Sequence, residues 1–209
     1  MQITRRSTLA LVGSAFIAPA AMAAGFTPSP YSKRSIGSPN APVTAIEYFS
    51  LTCTHCAEFA TVTMPKVKPK LVDTGILQIV YHDFPLDRVA LHAAQVARFL
   101  PPEQYYPFIE ALFASQNEWA FRPHEDYHKS IFEFAALAGM DKATYDKAWN
   151  DKKLADFILQ GQQEAETMYH IDATPSFIIN GKLHPGAMPY DDFADIVTKA
   201  AKAAKAAKG

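Results

Sequence analysis

The stretch VTAIEYFSLTCTHC, residues 43–56, decides the fold. Residues 43–50 are rich in β-branched and aromatic side chains, which predicts a buried strand. From Cys56 onward, apolar residues recur at intervals of three and four as far as Gly75, which predicts a helix. Cys53 and Cys56 therefore lie where a buried strand turns into a helix.

The start of a helix favours a reactive thiolate. Cys53 would lie beside free backbone N–H groups and the positive end of the helix dipole, and both stabilise a thiolate over a thiol. Cys56, one turn inside the helix, would be shielded. We therefore predict that Cys53 is the attacking and leaving sulfur and that Cys56 resolves the mixed disulfide. His55, as a cation or a donor, could stabilise the Cys53 thiolate further.

The chain has two cysteines in 209 residues, which limits their roles. A bridge across two intervening residues constrains the unfolded chain little, so an inert structural disulfide is the weaker interpretation. A Cys-x-x-Cys pair can also bind zinc or copper. However, a second such pair is absent, and His124 and His128 lack a carboxylate at matching spacing. Redox chemistry without a cofactor or metal is the leading hypothesis, and metal binding is the alternative of a different class.

The rest of the chain extends the pattern in both directions. Beyond the first helix, with a kink predicted at Pro65, the sequence predicts in order a strand, a helix, a purely helical stretch, a strand, a second strand after the Asn180-Gly181 turn, and a final helix. These elements cover residues 76–84, 90–100, 103–170, 176–180, 182–184 and the segment after Pro189. This order predicts an α/β, thioredoxin-like domain of residues 35–100 and 171–209, with an all-helical domain, residues 101–170, inserted between its halves. Residues 24–34 are expected to form a loose lead-in.

The N-terminus has the features of an export signal. Arg5 and Arg6 precede a mostly apolar stretch, residues 9–21, and Ala21-Met22-Ala23 fits a small-x-small cleavage site. Residues 1–23 are therefore predicted to be a cleaved signal peptide, and the mature protein to be periplasmic. A membrane anchor is the alternative, but the apolar stretch is shorter than the roughly 20 residues that a span needs. Because the arginine pair is also similar to a twin-arginine signal, the export route stays open between the Sec and twin-arginine pathways.

Several stretches together give the chain a family resemblance. Over residues 35–200 it resembles the DsbA-like periplasmic oxidoreductases of the thioredoxin superfamily. The residues that carry the resemblance are PNAPV at 39–43, EYF at 47–49, CTHC at 53–56, DFPL at 83–86 and TPSF at 174–177. A strongly lowered cysteine pKa and an oxidising potential are known properties of that family, so the resemblance implies both.

The resemblance assigns three further residues to the site. It implies that Pro175 follows a cis peptide bond in a loop that faces the cysteine pair. The backbone of Thr174 would pair with an extended substrate chain, and its hydroxyl could bond the sulfur. Glu47 would be a carboxylate buried beneath the pair, with a raised pKa, that moves protons for Cys56. The alternative for Glu47 is a partly exposed acid on an edge strand.

The resemblance also implies a reaction and partners. The Cys53–Cys56 disulfide would pass to reduced exported polypeptides, a DsbB-like membrane quinone reductase would reoxidise the pair, and the protein would act as a monomer. The formal net charge of −1 does not point to nucleic acid. Two residues depart from the family pattern: Thr54 stands where the best-known oxidising members have proline, and Thr174 where they have an aliphatic residue. Thr174 is similar to the isomerase and reductase relatives, so that role is the close alternative.

Overall fold

A five-stranded mixed sheet forms the centre of the protein. The computed structural model describes residues 29–121 and 126–207, so the predicted signal peptide and His124 lie outside the described residues. The strand order is β1-β3-β2-β4-β5; β2 and β3 are parallel, and the other neighbours are antiparallel. The strands are β1 (Arg34–Ile36), β2 (Val43–Phe49), β3 (Leu77–Asp83), β4 (Ser176–Ile179) and β5 (Lys182–Pro185). This is the predicted α/β, thioredoxin-like architecture, with β2 in the middle of the sheet.

The helix after β2 contains two prolines, and its hydrogen-bond spacing changes around them. It consists of α1 (Thr54–Glu58), a π turn (Phe59–Thr63), α2 (Met64–Val67) and a second π turn (Lys68–Val72). Proline lacks a backbone N–H, and π turns use i→i+5 bonds. The N–H of Met64 donates to the carbonyl of Phe59, five residues earlier. The sequence predicts a kink at Pro65; what the structure shows around this residue is the altered hydrogen bonding.

Helices fill the chain between β3 and β4. They are α3 (Arg88–Phe99), α4 (Pro102–Ala114), α5 (Gln116–Trp119), α6 (Tyr127–Leu137), α7 (Lys142–Trp149) and α8 (Lys152–Tyr169), and α9 (Tyr190–Ala206) follows β5. The side chains of Asp126, Asp141 and Asp151 accept backbone N–H bonds at the starts of α6, α7 and α8, which fixes where these helices begin. Over the described part of 103–170 the chain forms no strand, as predicted. None of the described helices has the length and apolarity needed to cross a membrane.

The predicted loose lead-in, residues 24–34, is wrong at its end. Arg34 begins β1, which pairs with β3, and its side chain is 1% exposed. The guanidinium of Arg34 donates to the carbonyl of Arg98 at 2.6 Å, Arg98 forms an ion pair with Asp83, and the Tyr105 hydroxyl donates to the same carboxylate. A three-residue strand is too short to show an alternating pattern, so β1 could not be predicted from the sequence.

The last two strands form the predicted hairpin. Asn180 and Gly181 connect β4 to β5, both with positive φ, which suits the two-residue turns that Asn-Gly favours. β5 is an outer strand of the sheet, and its residue Leu183 is 37% exposed. The hairpin places the segment before β4 next to the beginning of α1.

Candidate active site

Cys53 occupies the junction between the central strand and the first helix. It is the N-cap of α1, with an extended backbone, and its carbonyl accepts the N–H of Ala57. Cys53 is 8% exposed, Cys56 is fully buried, and both are free thiols. The Sγ of Cys53 donates to the carbonyl oxygen of Thr174 at 3.2 Å. The predicted strand–helix location of the pair is therefore what the structure shows.

The environment of Cys53 favours its thiolate. A hydrogen bond from the Cys56 side chain is the largest influence, and the Thr174 side chain and the backbone N–H groups of Cys56 and His55 act in the same direction. Burial opposes them, yet together they lower the pKa of Cys53 to about 5. Because the helix N-terminus supplies two of these donors, the fold itself activates this sulfur.

Cys56 has the opposite environment, although it lies only one helical turn away. Burial raises its pKa well above the ordinary value, and the hydrogen bond to Cys53 and the charges of Cys53 and Glu47 raise it further. Cys56 therefore stays protonated where Cys53 is ionised. This asymmetry suits the roles predicted from the sequence, attack by Cys53 and resolution by Cys56.

Glu47 lies in the centre of the sheet beneath the thiols. It is 3% exposed, and burial raises its pKa to about 8. The edge-strand alternative is wrong, because β2 has neighbours on both sides. Its partner in β3 is Tyr81, whose own pKa is raised in part by the Glu47 charge. A carboxyl group with a pKa near neutrality can give or take a proton at the working pH of most enzymes.

The loop before β4 faces the reactive thiol. The Thr174–Pro175 peptide bond is cis, and both residues are buried. The Thr174 hydroxyl is buried without a hydrogen-bond partner in the described part of the chain, while its carbonyl accepts from the Cys53 thiol. When Cys53 ionises, its donor is lost and the sulfur becomes an acceptor, for which this hydroxyl is the available donor. The carbonyl is then free to accept from another chain.

His55 and Thr54 contribute to the site through their backbone positions. The imidazole of His55 is 72% exposed and lies 3.3 Å from the Glu58 carboxylate, whereas the backbone N–H of His55 is the group that lowers the pKa of Cys53. Thr54 is the exposed first residue of α1. The sequence analysis expected the His55 side chain to add to the stabilisation by the helix N–H groups; in the structure, His55 contributes through its backbone N–H.

Gln116, the first residue of α5, was missed by the sequence analysis. Its side chain is buried, and its Nε2 donates to the carbonyls of Leu51 at 2.8 Å and Cys53 at 3.0 Å. These two carbonyls belong to the turn that leads from β2 into α1. Gln116 is therefore a positioning residue for this turn, which carries Cys53 and is called the redox turn below. A single glutamine in a helical block has no motif around it, so no sequence signal could have found it.

A second set of contacts holds the other side of the same turn. The hydroxyl of Thr52 donates to Asp87 at 2.7 Å, and the backbone N–H of Leu86 donates to the Ser50 hydroxyl at 3.3 Å. Asp87 also caps the start of α3 by accepting from the N–H of Ala90. These bonds fix the loop after β3 against the loop that carries Cys53.

Within residues 29–121 and 126–207, no group of three or more histidine, cysteine, aspartate or glutamate side chains is arranged to hold a metal ion. His128 packs edge-on against the rings of Tyr145 and Trp149, at centroid distances of 5.2 and 4.4 Å. Its surroundings are those of a residue in an aromatic cluster.

Comparisons with known proteins agree with this site. Residues 30–199 match a family described as thioredoxin. The solved structure of Wolbachia pipientis alpha-DsbA1 is 30% identical, with a TM-score of 0.79, over 85% of this chain and 95% of that one. Bacillus subtilis BdbD, 20% identical with a TM-score of 0.70 over 84% and 96% of the two chains, shows the same fold. The chain therefore belongs to the thioredoxin superfamily, in its DsbA-like branch.

The curated relatives are longer than this chain. A Rickettsia felis protein named as a protein-disulfide oxidoreductase is 26% identical over 166 residues, which is 79% of this chain and 59% of the relative. The chain thus spans a little over half of the length of that relative. The family match over residues 30–199 includes both cysteines and the loop of Pro175.

Proposed function

We propose that this protein is a periplasmic thiol–disulfide oxidoreductase that gives its Cys53–Cys56 disulfide to reduced exported polypeptides. The observation that carries the proposal is the opposite pKa shift of the two thiols, to about 5 for Cys53 and well above the ordinary value for Cys56. A thiol that ionises easily is a good leaving group, so a disulfide containing it is readily given away.

The proposed reaction has two exchange steps. A substrate thiolate attacks the Sγ of Cys53, the Cys53–Cys56 bond breaks, and Cys56 leaves and takes a proton. A second substrate thiolate then attacks the substrate sulfur of the mixed disulfide, and Cys53 leaves as a thiolate. The substrate is oxidised by two electrons and the protein pair is reduced by two. Glu47, with its pKa near 8, is the buried group suited to supply the proton that Cys56 takes.

The mixed disulfide is the direct test of this reaction. We expect Cys56→Ala, with Cys53 first converted to a mixed disulfide with 5-thio-2-nitrobenzoate, to accumulate Cys53-linked mixed disulfides with reduced single-cysteine polypeptides. The substrate thiolate displaces thionitrobenzoate from the Sγ of Cys53, and neither Cys56 nor a second substrate thiol is present to break the new bond. Cys53→Ala should form none. Non-reducing electrophoresis and mass spectrometry of the linked peptides measure both results, and failure of Cys56→Ala to trap any substrate would contradict exchange chemistry altogether.

The direction of electron flow needs a separate measurement. Thr174, beside the reactive sulfur, favours the isomerase or reductase role as the second candidate, since it departs from the oxidising members and is similar to the isomerase and reductase relatives. An oxidant should have a reduction potential well above that of thioredoxin, which is about −270 mV. A value near −270 mV, measured by equilibration with glutathione, would favour the reductase alternative.

Location and reoxidation belong to the same proposal. Residues 1–23 have the features of a cleaved signal peptide. We infer that the mature protein works as a monomer in the periplasm and that a DsbB-like membrane quinone reductase reoxidises it. Cell fractionation with N-terminal sequencing tests the location. Oxygen or quinone consumption by membranes, dependent on the reduced protein, tests the partner; retention of the full chain in the cytoplasm would contradict the export step.

A further inference from the structure

A groove of about 610 Å³ opens beside the redox turn. One wall is the apolar loop after β3, which includes Leu86, a residue 52% exposed. The other wall consists of the last turns of α8 and the residues that follow it, including the buried Ile171. The exchange reaction described above does not use this groove.

Both walls are connected to the reactive cysteine. The N–H of Leu86 donates to the hydroxyl of Ser50, three residues before Cys53. Ile171 lies three residues before Thr174, whose carbonyl accepts from the Cys53 thiol. Three residues of extended chain span about 10 Å, so a polypeptide joined to Cys53 can reach the groove with a residue close to its own cysteine.

The polar groups of the groove are mostly acceptors. The carboxylates of Glu166 and Asp172 line the groove. Gln162 lines it as well, and its Nε2 already donates a hydrogen bond to Glu166 at 3.2 Å. The Oε1 of Gln162 is buried and has no partner among the described residues. His170 is the remaining polar side chain of the lining, and none of the described residues that line the groove is a lysine or an arginine. A ligand that satisfies these groups must donate hydrogen bonds and carry positive charge.

The backbone adds to the negative potential of the groove. α8 ends here at Tyr169 after 18 residues, with His170 as a left-handed C-cap. The C-terminal end of a helix carries a partial negative charge, and it favours cations nearby. The carboxylates and the helix end therefore act in the same direction, next to the apolar wall of Phe84 and Leu86.

We propose that this groove binds an arginine or lysine side chain of the substrate polypeptide, within about three residues of its reacting cysteine. This rests on the proposed function, since it needs a substrate joined to Cys53. The long apolar stem of such a side chain would lie against Leu86, and its charged head would reach Glu166, Asp172 and the free oxygen of Gln162. The protein would thus prefer basic sequences around the cysteines that it oxidises.

The test uses the oxidised protein and synthetic peptides with one cysteine. The three peptides differ at a single position, three residues away from the cysteine. This position is arginine, glutamine or glutamate. Stopped-flow measurement gives the rate of attack on the Cys53–Cys56 disulfide. Because a nearby charge alters the peptide thiol itself, each rate is divided by the rate of the same peptide with a small-molecule disulfide.

We expect the corrected rate of the arginine peptide to exceed that of the glutamate peptide by about tenfold at low salt, and less at 0.5 M salt. In the double variant Glu166→Gln, Asp172→Asn the ratio should fall to about two. Glu133→Gln, an exposed carboxylate on α6, is the matched control and should leave the ratio unchanged.

The two proposals fail in different ways in this experiment. Equal rates for the three peptides, or a ratio that survives in the double variant, would overturn the basic-residue preference while exchange itself is seen. If no peptide reacts with the disulfide at all, the proposed function fails, and the preference fails with it.

Discussion

The two sulfurs of the redox pair occupy contrasting regions that are one helical turn apart. Around Cys53, helix N–H groups and the Cys56 and Thr174 side chains lower the pKa to about 5. Around Cys56, burial and the nearby Glu47 raise it well above the ordinary value. The residue type is the same, so the difference comes from position alone. One strand–helix junction can therefore supply both a good leaving group and a protected resolving thiol.

The largest test of this contrast compares the two single-cysteine variants. In Cys56→Ala, the remaining Cys53 should react with iodoacetamide at pH 7, although its pKa rises because the Cys56 hydrogen bond is lost. In Cys53→Ala, the buried Cys56 should react at least about 100-fold more slowly, since a thiol with a pKa above 9 is at most about 1% ionised at pH 7. In urea the two variants should react with iodoacetamide at the same rate. Equal rates without urea as well would contradict the difference in pKa between the two thiols.

The buried side of the pair can be tested through stability. Glu47 has a pKa near 8 in the folded protein and an ordinary pKa near 4.5 when unfolded. Its burial therefore destabilises the fold progressively between these pH values, fully above pH 8 and not at all below 4.5. Glu47→Gln should raise the free energy of unfolding by on the order of 3 kcal/mol at pH 8 and by little at pH 4.

Urea unfolding of the reduced protein at the two pH values measures the Glu47 effect. Glu133→Gln, whose carboxylate is exposed, should change stability little at either pH. If Glu47→Gln raised the free energy of unfolding equally at pH 4 and pH 8, the Glu47 carboxyl group would not titrate as its burial requires.

Gln116 tests how firmly the Cys53 side is held. Gln116→Met keeps the approximate volume but leaves the carbonyls of Leu51 and Cys53 without this donor, and should lower stability by about 2 kcal/mol. The pH profile of Cys53 alkylation should also move to higher pH, because the helix N–H groups are aimed less well at the sulfur. Gln163→Met, on the exposed face of α8, is the control. A stability loss with an unchanged alkylation profile would reduce Gln116 to a packing role.

The smallest expected effect is that of the Thr174 hydroxyl. Thr174→Val removes a donor that lowers the pKa of Cys53, so this pKa should rise by about one unit. The reduction potential should then become more negative by about 30 mV. Thiolate absorbance at 240 nm and glutathione equilibration measure the two shifts, with the exposed Thr44→Val as control. An unchanged pKa would assign the whole effect to the backbone of the loop.

The fold was largely predictable because its main elements are long and strongly patterned. β2, β3, the helices of the 103–170 block and the Asn180-Gly181 hairpin all have local signals. β1 was missed because three residues are too few to show an alternating hydrophobic pattern. Its place in the sheet depends on the burial of Arg34. The sequence analysis singled out Pro65, whereas the π turns depend on packing that the sequence does not display.

The site was predictable only where neighbours in sequence are neighbours in space. Cys53 and Cys56 lie in one helical turn, so their asymmetry follows from the strand–helix junction. Thr174 and Pro175, which are distant in sequence from the pair, and Glu47, in the preceding strand, came from family resemblance. Gln116 shows neither a motif nor a resemblance signal, and its role follows only from its two hydrogen bonds in the structure.

The outer strand β5 has a consequence for how copies of this protein behave at high concentration. An open sheet edge can recruit the edge of another molecule and start a growing aggregate. Here the strand is four residues long, starts with the charged Lys182 and ends with Pro185, which has no N–H to offer an incoming strand. We therefore expect this edge to resist intermolecular sheet extension.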